Sequence, residues 1–304
     1  MSSRIRLMNG LKKLLFLTPG RVISLLPRSF QLALGRILGR LAMRLTPKRV
    51  KITRRNFEIA FPEKDAAVLT RKCFEHFGCL LVETLCLPFF GSSLKKWLTF
   101  EGMEVFQEHQ AKGEGSILLT AHFGNWETMS WCNRHANIIV YGLYQKQNNT
   151  LANDWFYELR RWTGLRLIEK KSGLKKVIGD ALVRGETFGL VGDQGRGQYL
   201  EFFGRETNFP VGPAWNAIEH NCRLYFTLCI REGKYLRMKM LEEIPIQEGD
   251  DREEQIRKTT ELYIQKLEEV VRKYPEQYFW MHDLWKEFKK KPSESSSPAP
   301  SAGS

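Results

Sequence analysis

Over the first third of the chain the apolar residues fall at helical spacing, and beyond it they gather into short runs. Leu34, Ile37, Leu38, Leu41 and Leu45 follow the i, i+3, i+4, i+7 rule and share one helix face, with Arg36, Arg40 and Arg44 every four residues on the other side. Thr46-Pro47 ends this helix, because a proline pushes the residue before it out of the helical region. Helical patterns resume over about 48–60 and, after Phe61-Pro62, over about 64–88, where Phe74, Phe77, Leu81 and Leu85 form a stripe. From about residue 116 the texture changes. Ser116–Thr120, Asn137–Leu143, Thr187–Val191 and Leu224–Ile230 are continuous apolar runs that read as buried strands. Helices are predicted between and after them, at about 125–134, 151–163, 173–184, 212–221 and 252–273. This alternation predicts an α/β fold with a largely parallel sheet flanked by helices.

Three segments follow from this pattern: a basic amphipathic arm over 1–46, one large domain over 47–291, and a tail over 292–304. The tail (PSESSSPAPSAGS) carries a single charge and is expected to be disordered. No window holds 18 consecutive apolar residues, so no clear membrane-spanning helix is predicted. The six cysteines form no C-x-x-C pair and no signal peptide is evident, which reads as reduced cytosolic thiols filling a core.

Charge changes the picture. The net charge is +13, and residues 1–57 hold fourteen Lys and Arg but no Asp or Glu. The other 247 residues balance, with 33 basic against 34 acidic. A basic helix with a broad Leu/Ile face suits an anionic membrane surface, where each basic residue contributes roughly 1 kcal/mol. A core helix with a solvated Arg face is the alternative. Nucleic acid is disfavoured, since no binding motif accompanies the basic residues.

The candidate chemistry lies in Ile117–Glu127, I-L-L-T-A-H-F-G-N-W-E. A buried strand ends, a Gly-containing turn follows, and a helix is expected from about Asn125. Carboxyl ends of parallel strands are where open α/β sheets place ligands. His122 sits at the strand exit. A carboxylate such as Glu127 can hold one imidazole nitrogen, leaving the other to take a proton from a hydroxyl. The spacing alone is unspecific: His109 with Glu114 and His282 with Glu287 share it. The first of these lies in a polar run read as a loop. Only His122 has the strand–turn–helix context, and a buried core histidine remains the alternative. There is no G-x-S-x-G elbow for an acyl-serine route. Cys132 and Ser130 are expected on the helix downstream of the dyad. No H-E-x-x-H occurs, and Gly192, Gly195 and Gly197 match neither a phosphate loop nor a dinucleotide fingerprint, so neither a metal nor a cofactor is expected.

Ala121–Glu127 (A-H-F-G-N-W-E) resembles the catalytic motif of the bacterial lipid A late acyltransferases, relatives of the glycerophosphate acyltransferases. The likeness continues through Arg54-Arg55-Asn56-Phe57, Phe61-Pro62-Glu63, Asp154-Trp155, Arg161, Gly192-Asp193-Gln194, Phe202-Phe203-Gly204, Gly212-Pro213-Ala214 and Pro275–His282. The resemblance implies His122 as general base and Glu127 as the carboxylate that orients it. It places Arg161 and Asp193 where the family carries further residues important for activity. Arg161 is suited to grip a phosphate or acyl oxyanion; a surface arginine beside Arg160 is the alternative. Asp193 follows a buried run, and a turn carboxylate is its alternative. Backbone N–H groups around Gly124 and Asn125 are candidate oxyanion or substrate contacts.

The resemblance implies acyl transfer to a lipid A precursor at the cytoplasmic face of the bacterial inner membrane. The donor it implies is acyl carrier protein, with acyl-coenzyme A as the alternative. Lys170-Lys171 and Lys175-Lys176 are candidate docking charges. One departure stands out: after Trp280-Met281-His282 the family commonly has two arginines, where this chain has Asp283-Leu284. That keeps another lysophospholipid or glycolipid acceptor open. The alternative of a different class is a non-catalytic lipid-binding scaffold.

Overall fold

The computed structural model describes residues 18–131, 139–144, 160, 164–169 and 173–285. Helices α1 (Arg28–Leu45), α2 (Pro47–Ala60) and α3 (Ala66–Cys86) form the N-terminal part. Thr46 does terminate α1, and Asp65 caps α3 by accepting from the Ala67 and Val68 N–H groups. Further on come α4 (Met103–Ala111), α5 (Leu174–Val183), α6 (Gly212–Glu219) and α7 (Arg252–Lys273).

The strands are β1 (Leu98–Glu101), β2 (Ser116–Thr120), β3 (Val140–Tyr144), β4 (Arg166–Glu169), β5 (Thr187–Val191), β6 (Gln198–Phe202), β7 (Arg205–Phe209), β8 (Arg223–Glu232) and β9 (Tyr235–Glu243). Seven of them build one sheet in the order β1-β9-β8-β2-β5-β3-β4. Every pair in it is parallel except β8–β9, which is antiparallel. β6 and β7 pair as a separate antiparallel hairpin. The α/β class and the four apolar runs hold as strands. β1, β4, β6, β7 and β9 were not predicted, since their alternating or charge-rich sequences lack a continuous apolar run. The helix expected over 125–134 is a 3₁₀ helix, Trp126–Trp131. That expected over 151–163 lies, apart from Arg160, outside the described residues, as do the tail and residues 1–17.

β2 is buried at all five positions and sits in the middle of the sheet. Around it the main core joins Phe57 of α2, Phe61 just past its end, Phe188, Phe226 and the C-terminal Tyr278 and Trp280. Trp280 packs within 5.1 Å of the Phe57 ring centroid. Asn56 Nδ2 donates to the carbonyls of Trp280 and His282 at 2.9 and 2.8 Å. The RRNF and PEQYFWMH segments, far apart in sequence, are thus one structural joint.

α1 packs against α3 through a seam of small residues rather than through its leucine face. A Cβ at Gly39 would stand 2.2 Å from the Phe74 carbonyl oxygen, and one at Gly78 would stand 2.0 Å from that of Gly35. The predicted apolar face is therefore split. Leu34 and Leu38 pack on a second core cluster, whereas Ile37, Leu41 and Leu45 are 59%, 46% and 72% exposed.

Alanine ordinarily stabilises a helix relative to glycine by about 1 kcal/mol. At Gly39 the sign reverses, because the added methyl meets backbone that has nowhere to move. Gly39→Ala is expected to lower the unfolding free energy by about 1–3 kcal/mol, read from denaturant midpoints. An unchanged or raised midpoint would refute the close-packed seam.

Candidate active site

The ladder between β2 and β5 pairs Thr120 with Val191. Two residues past each of these lie His122 and Asp193, so the register alone brings them side by side at the carboxyl edge of the sheet. The His122 Nδ1 and Asp193 Oδ1 atoms are 2.9 Å apart. Asp193 is buried to 1% exposure, and an ionised carboxylate only accepts, which puts the proton on Nδ1 and leaves Nε2 with its lone pair. Burial by itself would lower the His122 pKa. The charge and hydrogen bond of Asp193, with help from Glu127, overcome that effect and raise it above 6.5. The hydroxyls of Tyr263 and Tyr278 stay protonated beside this carboxylate, held far above 10 by burial and then by its charge.

The turn after His122 is fixed from several sides. Gly124 has φ +58°, and a Cβ there would lie 1.9 Å from the Cys229 carbonyl oxygen, so only glycine fits. Its N–H donates to the Gln277 carbonyl at 2.9 Å. Its carbonyl accepts from His76 Nε2 at 3.1 Å. His76 is neutral, its pKa lowered to about 3 by burial and then by Arg231. The Asn125 N–H donates to the Cys229 carbonyl at 2.9 Å, and the Asn125 side chain is fully buried. The N–H groups of Gly124 and Asn125, expected to face substrate, are therefore engaged inside the protein. These two residues build the turn.

Glu127 does not hydrogen-bond the imidazole. The 3₁₀ start at Trp126 carries its carboxylate to Arg160, which donates through Nη2 at 2.7 Å and Nε at 3.1 Å. The group on Nδ1 is Asp193, reached by sheet register rather than by sequence proximity. Arg161 lies outside the described residues. Among the described residues, its neighbour Arg160 is the cation that lines the pocket.

His122, Glu127 and Arg160 occupy the polar end of a pocket of about 250 Å³, whose other walls include Leu118, Val140, Leu143, Leu165, Val191 and Met238. An imidazole with a free nitrogen thus opens onto an apolar hole. Trp126 and Phe279 flank the ring, with centroids 5.3 and 6.0 Å away. The thiol of Cys229, just under the turn, is pushed up to about 12, mainly by burial, and is no nucleophile. Cys132 lies outside the described residues. His109, expected in a loop, is on α4 and bonds Tyr225, while Glu114 pairs with Arg223 at 2.6 Å.

Comparison with known proteins gives the family. The family model described as bacterial lipid A biosynthesis acyltransferase matches residues 5–287. The chain belongs to that family. It is 29% identical over 271 residues to a lipid A biosynthesis lauroyltransferase of Escherichia coli (strain K12), covering 83% of this chain and 84% of the relative. A lipid A biosynthesis palmitoleoyltransferase of the same organism is 26% identical over 268 residues, with the same coverage. A phosphatidylinositol mannoside acyltransferase of Mycolicibacterium smegmatis is 23% identical over 184 residues, 57% of each chain. The protein is an acyltransferase, and the pocket beside His122 is its candidate centre.

Asp193 was one of the sequence candidates, but its contact with His122 was not legible. Its signal was positional: the pair sits at the same offset beyond two apolar runs. Because Asp193 stabilises the imidazolium, Asp193→Asn is expected to lower the His122 midpoint from above 6.5 towards or below that value. NMR titration of histidine-labelled protein would follow the ring directly. A midpoint that stays put would remove Asp193 from this role.

Proposed function

We propose that this acyltransferase moves a fatty acyl chain from a thioester donor to a hydroxyl of a lipid A precursor, with His122 as general base. The observation that carries this reading is the imidazole whose Nδ1–H is held by buried Asp193 while the ring borders an apolar pocket. The acyl chain lies along Leu118, Val140, Leu143 and Leu165, with its thioester carbonyl near His122. His122 Nε2 takes the acceptor's hydroxyl proton as the oxygen attacks that carbonyl. The new C–O bond forms, the C–S bond breaks, and the imidazolium returns its proton to the leaving thiolate. Asp193 stabilises the imidazolium between these steps. The Arg160–Glu127 pair places a guanidinium beside the carbonyl, suited to the oxyanion that develops there.

Acyl carrier protein is the proposed donor, with acyl-coenzyme A as the alternative. Of the lysines considered for docking, Lys176 pairs with Asp180 at 2.9 Å and Lys175 lies over the Trp215 ring. Lys170 and Lys171 are outside the described residues.

The proposed location is the cytoplasmic face of the bacterial inner membrane. No described helix is long and apolar enough to cross a membrane. α1 instead exposes Phe30, Ile37, Leu41 and Leu45 beside Arg36, Arg40 and Arg44. That combination suits the plane of an anionic bilayer surface. A glycolipid other than a lipid A precursor is the second reading. Two observations favour it: the mannoside acyltransferase relative, and the pairing of Asp283 with Arg55 where the family commonly has two arginines.

Two measurements test these readings. Detergent-solubilised protein is given radiolabelled acyl carrier protein or acyl-coenzyme A donors and a panel of lipid A precursors, lysophospholipids and glycolipids. Label is expected in a lipid A precursor, with a loss of about 10²–10⁴-fold in His122→Ala. Transfer only to another lipid overturns the acceptor. No transfer to anything, with lipid binding retained, points to the scaffold. In flotation with vesicles containing anionic phospholipid, the Ile37→Glu/Leu41→Glu double variant is expected to lose most of its binding. Binding equal to wild type would dismiss α1 as the contact.

A further inference from the structure

Beneath the catalytic turn lies a charge cluster that takes no part in the chemistry above. Glu83, on α3, is fully buried. Its carboxylate accepts from both terminal nitrogens of Arg231 on β8 and from Nη2 of Arg28 at the start of α1. It also accepts from Asn125 Nδ2 at 2.6 Å. Burial would raise its pKa, but the two guanidiniums dominate and bring it down to about 2, so it is ionised. Asn125 caps the 3₁₀ helix that carries Trp126 and Glu127, its carbonyl accepting from the Thr128 hydroxyl at 2.7 Å. Gln277, which accepts the Gly124 N–H, also clasps the backbone of Arg231 on both sides, at 2.9 and 2.8 Å.

The second arginine also donates through Nε to the Lys234 carbonyl at 3.3 Å, but Glu83 does not need it for a countercharge. Glu83 and Arg231 already make a neutral, forked pair. Arg28 adds a net positive charge to the interior, and its buried Nη1 has no hydrogen-bond partner, both of which cost free energy. What Arg28 supplies is a connection. It is the first residue of α1, the helix that exposes the apolar face, and its guanidinium lies 4.4 Å from the Trp97 ring centroid.

We propose that Arg28 and Glu83 are positioning residues, an ion pair that couples the seating of helix α1 to the geometry of the catalytic turn through Asn125. The pair touches no substrate. It acts by holding the turn that orients His122 and Glu127, and in this it rests on the reading of His122 as general base.

The full-length protein carries the test. Arg28→Met leaves the neutral Glu83–Arg231 pair and is expected to lower kcat at least tenfold with KM for the acyl donor unchanged. Arg28→Lys, which keeps a cation against Glu83, is expected to recover at least half of that loss on a logarithmic scale. The control is Glu75→Gln, which severs the other ion pair between α1 and α3, Arg40–Glu75, and is expected to stay within twofold of wild type. The His122 ring resonance should move in Arg28→Met and not in Glu75→Gln. This readout needs no acceptor, so it reports on the coupling even if the transfer reaction proves to be another. If Arg28→Met does not fold, the losses in Arg28→Lys and Asn125→Ala are compared with their double variant. Losses that fail to multiply place the two residues on one path. Losses that multiply, equal effects of Arg28→Met and Glu75→Gln, or an unmoved His122 resonance overturn the proposal.

Discussion

The site depends on a carboxylate placed out of water. Asp193 is buried, and one of its oxygens is bound to the His122 ring. A charge so placed is tolerated only where a partner can become positive or donate a strong hydrogen bond. The imidazole does both, and in return its tautomer is set and its basicity raised. Neither effect would survive if the carboxylate were free to rotate into solvent. The parallel ladder of β2 and β5 prevents that, because each side chain leaves the sheet two residues beyond paired backbone.

A histidine at a strand exit would still be mobile without the turn that follows it. Here the backbone is committed residue by residue. Gly124 is pinned through its N–H, its carbonyl and the absence of a Cβ, and Asn125 is held through its N–H and its side chain. β8 continues past the end of β2 to supply the Cys229 contacts, α3 supplies His76 and Glu83, and Gln277 takes the Gly124 N–H. The cost is that the turn has few donors left for a ligand. Among the described residues, the polar side chains that line the pocket with His122 are Thr120, Glu127 and Arg160.

Much of the fold was legible because the central strands β2 and β8 are buried on both faces along most of their length, and β5 is buried at its start. SILLT, TFGLV and LYFTLCI are continuous apolar runs, and that is what a central parallel strand requires. The outer strands were not legible. β4, at one edge, reads RLIE, and β9, next to the other edge, reads YLRMKMLEE, patterns that a half-exposed strand shares with a helix or loop. The face of α1 was misjudged for a related reason. Periodicity counts leucines, whereas the contact with α3 is made by glycines, whose value lies in the backbone approach they permit. At the site, His122 stood out by its strand–turn context. Its carboxylate partner did not, since a five-residue spacing suggested Glu127 while the actual contact spans 71 residues and depends on strand order. Glu83 carried no local signal, since nothing in the helix sequence distinguishes it from the other acidic residue, Glu75.

Two acidic groups near one imidazole would compete for it if both were free. The structure separates them. Asp193 faces Nδ1 from the sheet side, and Glu127 is occupied by Arg160 in a forked pair. If Glu127 took the imidazole instead, Arg160 would lose its countercharge in a pocket with mostly apolar walls, and Asp193 would be left as an unpaired buried anion. Both changes are unfavourable, and they act in the same direction. The observed division therefore gives each carboxylate a partner among the described residues, the imidazole for Asp193 and the guanidinium for Glu127. It also keeps a guanidinium and an imidazole beside the same largely apolar cavity.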